Sequence, residues 1–148
     1  MKAKSGFTLV EILIVVVILG ILAAIVIPQF TEASTEAKTS SLCTDLQTMR
    51  SQIELYKIQH NDNLPGVGGA TFIQAMTGYT DVAGAVAVGP AANVYGPYIQ
   101  KIPTNQFTNL DTIRENAVTD QGAGTHGWHF NSSTGAFHAD DTAAHALL

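Results

Sequence analysis

The residues with the sharpest chemical meaning stand at the start of the chain. Gly6-Phe7-Thr8-Leu9-Val10-Glu11 leads into Ile12–Ile27, where every residue is apolar or glycine. Counted from Phe7, this is a 21-residue stretch with one charge, Glu11. A carboxylate in a bilayer costs about 2.5–3.5 kcal/mol at a helix centre and less near an interface, so it wants a cationic partner. The stretch itself contains none. A cut between Gly6 and Phe7 would create one, the new α-amino group of Phe7, largely protonated at neutral pH. Phe7 and Glu11 are then i and i+4 on one helix face. Glu11 could pair with its own amine or with that of a neighbouring copy. The carboxylate also suits the positive end of the helix dipole, which the new amine opposes.

Elsewhere the chemistry is thin. Cys43 is the one cysteine, which excludes an internal disulfide framework and a four-cysteine zinc site. It reads as a small buried hydrophobe on a helix; no His or Asn is placed to make it a nucleophile. His126, His129, His138 and His145 crowd the C-terminal end beside Asp140 and Asp141. Two opposed histidines are a minimal metal site. A polar sheet surface is the simpler reading, and no metal is assigned. No Ser/His/Asp set, paired-carboxylate motif or phosphate loop stands out, so no enzyme is expected. A net charge of −5, with Lys38, Arg50, Lys57, Lys101 and Arg114 scattered, argues against nucleic acid.

The elements that must carry these residues follow from hydrophobic pattern. The 148 residues allow one globular domain at most. At about 1.5 Å per residue, the apolar stretch makes a helix of about 30 Å, the thickness of a bilayer's hydrocarbon core. Lys2 and Lys4 precede it, so they stay in the cytoplasm and the remainder is exported. An ordinary signal peptide fits poorly, because Leu22-Ala23-Ala24 is a weak cleavage site. Neither a signal peptide nor a plain anchor explains Glu11. Pro28 ends the apolar run and predicts a kink or loosening. Beyond it Leu42, Leu46, Met49, Ile53 and Tyr56 are spaced 4, 3, 4 and 3 apart, one apolar stripe on an amphipathic helix. Helix signals stop at Asn61-Asp62-Asn63. The spacing therefore predicts one helix of about fifty residues. Its first half, residues 7–28, is apolar all round, and its second half, 29–60, carries a domain. Copies of itself could bury the apolar half outside the membrane, with Gly20, Ala23 and Ala24 permitting close approach.

Residues 61–148 form the small C-terminal domain. Phe72–Met76 suggests a short helix, and Ala83–Ala92 reads as loop or weak strand. Trp128-His129-Phe130 and Phe137-His138-Ala139 predict a β-hairpin. Trp128 would pair with Ala139, His129 with His138 and Phe130 with Phe137. Trp128, Phe130, Phe137 and Ala139 would then face the long helix, and the two histidines the other side.

Gly6-Phe7-Thr8-Leu9-Val10-Glu11-Ile12, with the lysine-bearing leader and the long apolar run, resembles the prepilin motif of type IV pilins and type II secretion pseudopilins. Gly96-Pro97-Tyr98-Ile99-Gln100-Lys101-Ile102-Pro103 is similar to a segment of major pseudopilins. The resemblance implies a pilin-like α+β fold: a long N-terminal helix, its first half transmembrane, with a small antiparallel β-sheet on its second half. It implies that residues 1–6 are a leader cut after Gly6 by a prepilin peptidase, that Phe7 is N-methylated and that Glu11 guides subunit docking. Losing Lys2 and Lys4, two of seven basic side chains, takes the charge from −5 to −7. The implied partners are copies of itself in a helical filament, minor pilin-like subunits and an inner-membrane assembly platform. The implied place is the inner membrane, single-pass with the C-terminal domain exported, and then a filament in the periplasm or at the cell surface. A pseudopilus subunit for protein export is the leading reading. The alternatives are a type IV pilus subunit for adhesion or motility and a membrane-anchored binding module. Major pseudopilins often hold calcium near the C-terminus, but Asp140-Asp141 is too thin a pattern to assign a cofactor.

Overall fold

The computed structural model describes residues 6–116 and 122–148. Lys2 and Lys4 of the expected leader lie outside the described residues. A single helix, α1, spans Leu9–Gln59, as the apolar run and the stripe behind it predict. The chain falls into two compact units, one reaching Thr39 and the other running Ser40–Leu148.

In the first unit every described residue except Thr39 is exposed. The large apolar side chains from Val10 to Ile27 are each 51–64% exposed. A solvent-facing helix normally has one polar side; this one has none between Ile12 and Ile27.

In the second unit α1 buries Leu42, Leu46, Met49, Ile53 and Tyr56, the five stripe positions. Cys43 is exposed, which corrects the expectation that it is buried. Leu42 holds the core-facing position, and the next residue is rotated away by about 100°. A second helix, α2, spans Phe72–Thr77. Thr71 and Gln74 start it as a capping box, each side chain bonding the other's backbone N–H. Phe72, Ala75 and Met76 join the core beneath.

Two small sheets complete the unit. Strands β1 (Tyr79–Asp81), β2 (Val86–Ala87) and β3 (Val94–Tyr95) pair antiparallel in the order β2-β1-β3. Thus Ala83–Ala92 contains a short strand. The loops near Gly68 and Gly84 cross in backbone contact: a Cβ on Gly68 would strike the Ala83 carbonyl, and one on Gly84 the Val67 carbonyl. Strands β4 (Ile113–Asn116), β5 (Trp128–Asn131) and β6 (Phe137–Ala139) form the other sheet. Its β5–β6 hairpin has the predicted register, Trp128↔Ala139, His129↔His138 and Phe130↔Phe137. The pair β4–β5 is parallel, so this sheet is mixed, not purely antiparallel. A parallel return needs a crossover rather than a tight turn.

The outward face of that hairpin is not the polar surface the sequence suggests. His129 is fully buried, with Nε2 2.9 Å from Asn116 Oδ1 on the parallel neighbour. Central β5 is buried along its whole length, with a strand on each edge. His138 is half-buried under a closing 3-10 turn, His145–Leu147, and its Nδ1 lies 2.8 Å from the Ala146 carbonyl. A carbonyl only accepts, so Nδ1 carries the proton. Arg50 fastens the same corner, its Nε donating to the Phe137 carbonyl at 3.0 Å and its Nη1 to the Leu148 carbonyl at 2.8 Å.

Burial holds the His138 imidazole below its usual pKa; the bond to Ala146 opposes this and the Arg50 charge adds to it. The unfolded chain takes up this proton near 6.5, the folded chain only at lower pH. The neutral ring's contribution is therefore present above that value and lost as pH falls through the folded pKa. Urea unfolding midpoints of the wild-type chain in detergent are expected to fall more steeply than those of His138→Gln between about pH 7 and pH 5. Equal slopes would show that His138 does not contribute.

Candidate functional site

Gly6, Phe7 and Thr8 lie outside the helix, and α1 starts at Leu9. Phe7 is 84% exposed, and no described residue stands within 4 Å of the position a Gly6 side chain would take. Among the described residues, none covers the Gly6–Phe7 bond, which lies ahead of the helix.

Thr8 sets that boundary. Its backbone N–H donates to Glu11 Oε2 at 2.7 Å and its hydroxyl to the same oxygen at 2.8 Å. In return the Glu11 backbone N–H meets Thr8 Oγ1 at 3.3 Å. This is a capping box, in which the helix's first orphan donors and the N3 side chain satisfy one another. The Thr-x-x-Glu spacing that encodes it is present in the sequence, but reading Glu11 only for a cationic partner passes over it. Glu11 therefore has a local partner in the uncut chain and sits in the first turn, where the helix dipole favours a negative charge.

Pro28 lies inside α1, and the residues around it are helical. Proline has no N–H, so the Ala24 carbonyl loses its usual i→i−4 donor. One turn on, Thr31 Oγ1 donates to the Ile27 carbonyl at 3.1 Å. By length and composition, α1 is long and apolar enough to cross a membrane.

The C-terminal residues weighed as metal ligands have other partners. Asp140 is fully buried and pairs with Arg114, Oδ1 to Nη2 at 2.6 Å. Burial alone would raise its pKa, but Arg114 and the Ala123 and His126 N–H groups hold it below the usual range. Asp141 faces His145 at 2.5 Å. His129 and His138 oppose each other in register but bond Asn116 and Ala146. Among the described residues, no three His, Cys, Asp or Glu side chains gather into a metal-holding group. Tyr98 and Ile102 of the Gly96–Pro103 block pack on the core, and Tyr98 donates to Gln59 Oε1 at the end of α1 at 2.5 Å. Burial, with Tyr56 and Tyr95 nearby, pushes the Tyr98 hydroxyl up to about 12.

Residues 1–27 match the prokaryotic N-terminal methylation motif. The chain is 30% identical over 109 residues to type II secretion system core protein G of Klebsiella pneumoniae, covering 72% of this chain and 71% of that protein. It is 26% identical over 110 residues to the protein of that name from Aeromonas hydrophila, 73% and 71% covered. To the Pseudomonas aeruginosa protein of that name it is 42% identical over 59 residues, 40% of this chain and only 42% of that relative. A fimbrial protein of Pseudomonas aeruginosa is 41% identical over 54 residues, 36% of this chain and 35% of that protein. No solved structure matches the chain.

Thr8→Ala removes the hydroxyl from the capping box, a loss of about 1 kcal/mol. Amide exchange at residues 9–12 of the uncut chain in micelles is expected to quicken roughly five-fold, with Thr8→Ser close to wild type. Unchanged exchange would show that the helix start does not depend on this box.

Proposed function

Because the chain belongs to the type II secretion system core protein G family, we propose that it is the structural subunit of a secretion pseudopilus, a filament that drives protein export. The observation that carries this reading is Glu11, held at the head of a helix that is bare and apolar all round. Fully burying one Val, Leu or Ile is worth about 1.5–3 kcal/mol. A helix exposing so many must sit in lipid or against other helices. Before assembly a bilayer meets that need, with the Ser40–Leu148 unit exported. In the filament, copies of the same helix replace the lipid.

A prepilin peptidase cuts the open Gly6–Phe7 bond, and the new amine on Phe7 is methylated. Glu11 Oε2 already takes two bonds from Thr8. Oε1 is the oxygen that an incoming subunit's Phe7 amine approaches. That contact aligns the new subunit with the growing end. Pro28 is the soft point at which α1 adjusts as the subunit leaves the membrane. The remaining partners are minor pilin-like subunits and an inner-membrane assembly platform. A second reading, a type IV pilus subunit, draws on the fimbrial relative; the longer matches to core protein G favour the pseudopilus.

Two variants test the roles separately. Gly6→Val is expected to leave the leader on, read as an intact N-terminus by mass spectrometry. Glu11→Gln is expected to be processed and inserted normally yet yield at least about ten-fold less sheared filament, the loss of roughly 1.4 kcal/mol per contact. Normal filament yield from Glu11→Gln would sink the docking role.

A further inference from the structure

We propose that a cleft just beyond the end of α1, within the Ser40–Leu148 unit, binds a neutral polyhydroxylated ligand, a saccharide. The cleft, of about 470 Å³, is lined by Asn61, Asn63, Asp81, Val82, Ala83 and Asn93, and its size lies in the usual range for small-molecule sites. Three segments bring these residues together. Asn61 and Asn63 follow Gln59, where α1 stops. Asp81 ends β1, and Val82 and Ala83 begin the turn towards β2. Asn93 immediately precedes β3, whose Val94 pairs with Asp81. The cleft opens to solvent, with Asn61, Ala83 and Asn93 exposed.

Its polar groups are unspent. Elsewhere in the unit asparagine side chains are engaged: Asn105 Nδ2 donates to the Gly127 carbonyl at 2.9 Å, and Asn131 Oδ1 accepts from the Ser133 N–H at 2.9 Å. Among the described residues, no hydrogen bond holds the carboxamides of Asn61, Asn63 or Asn93. Asp81 is half spent. Its Oδ1 accepts from the Ala83 and Ala85 N–H groups at 3.0 and 2.9 Å. Among the described residues, no donor is bonded to its Oδ2 and no Lys or Arg pairs with it. Asn61 (φ 53°) and Asn93 (φ 59°) take left-handed backbone, which asparagine and glycine tolerate. Glycine would serve there with no carboxamide, and Asn63 has no such constraint.

This chemistry selects the ligand. Each carboxamide offers N–H donors and an oxygen acceptor, while Asp81 Oδ2 only accepts. A hydroxyl both donates and accepts, so adjacent ring hydroxyls satisfy both kinds of group at once. Val82 and Ala83 give the C–H face of a sugar ring an apolar wall. Charged ligands fit worse. An anion meets the Asp81 carboxylate and the negative end of the α1 dipole. Calcium takes about six to eight oxygens and draws affinity from their charge. Here one carboxylate lines the cleft, and the turn already holds one of its oxygens. The site stands independently of the filament reading.

The test uses the full chain in micelles of a detergent without a sugar headgroup. Methyl α-mannoside, methyl β-galactoside and chitotriose are titrated in turn, with the side-chain amide NMR signals of Asn61, Asn63 and Asn93 as the readout. Saturable shifts are expected with at least one of them. Asn61→Gly combined with Asn93→Gly suits the left-handed backbone, so the melting temperature is expected to hold while binding weakens about ten-fold or more, the loss of two hydrogen bonds. Asp81→Asn keeps an oxygen for the turn and is expected to weaken binding as well. The absence of saturable shifts with all three saccharides, or wild-type affinity in the double glycine variant, overturns the proposal. Shifts given by calcium chloride and by no saccharide overturn it too, and make the cleft a cation site.

Discussion

A carboxylate at the head of an otherwise apolar helix needs hydrogen-bond donors wherever that helix is placed. In this chain Thr8 supplies two of them to Glu11. The same arrangement fixes where the helix begins. With Thr8 as the cap, α1 starts at Leu9, and Gly6–Phe7 stay outside it. A helix starting two residues earlier would enclose the Gly6–Phe7 bond in its first turn, closed to a protease that binds extended backbone. One pair of side chains thus serves two needs on the proposed reading: it shelters the charge and leaves the cleavage junction open.

The second constraint is that α1 has two surroundings along its length. Through Ile27 it offers apolar side chains in every direction, a pattern suited to lipid or to a bundle of like helices. From Leu42 onward it offers one apolar stripe, and the domain folds on that stripe through Phe72, Met76, Trp128, Phe130 and Phe137. The aromatic residues lock together: Phe72 lies 4.3 Å from Phe130 and Trp128 5.4 Å from Phe137, ring centre to ring centre. Burial of this size explains why two sheets of short strands suffice, since the strands are fastened by the helix and not only by their ladders.

How much of this was legible depended on whether the signal was periodic or tertiary. The stripe and the hairpin register came straight from spacing, because periods of 3.6 and 2 assign faces without any long-range knowledge. Cys43 defeats the expectation set by its residue type, because one step from Leu42 is off the buried face whatever the side chain prefers. Burial of His129 is not legible locally, because alternation along β5 says nothing about β4, which pairs with it in parallel. His138 was covered by a turn eight residues on, a fold-back that has no local signature. Asp140 likewise found Arg114 across 26 residues. At the N-terminus Glu11 was legible as an anomaly of charge, while its bond to Thr8 was local and readable as a capping box.

Between the two surroundings lies a segment with a different composition. Pro28 removes one helical hydrogen bond, and Thr31, Thr35 and Thr39 follow at intervals of four, each donating to the carbonyl one turn back. Threonine is a poor helix former, and such back-bonding weakens or bends a helix. Glu32, Glu36 and Lys38 make the same stretch the first charged part of α1 after Glu11. An apolar helix drawn from lipid into a bundle must change its surroundings without unfolding the domain on its other half. If backbone has to yield during that transfer, it yields at least cost where hydrogen bonds are already missing and side-chain hydroxyls can re-bond freed carbonyls. On the filament reading, Pro28–Thr39 meets both conditions, while the stripe from Leu42, packed into the core, meets neither.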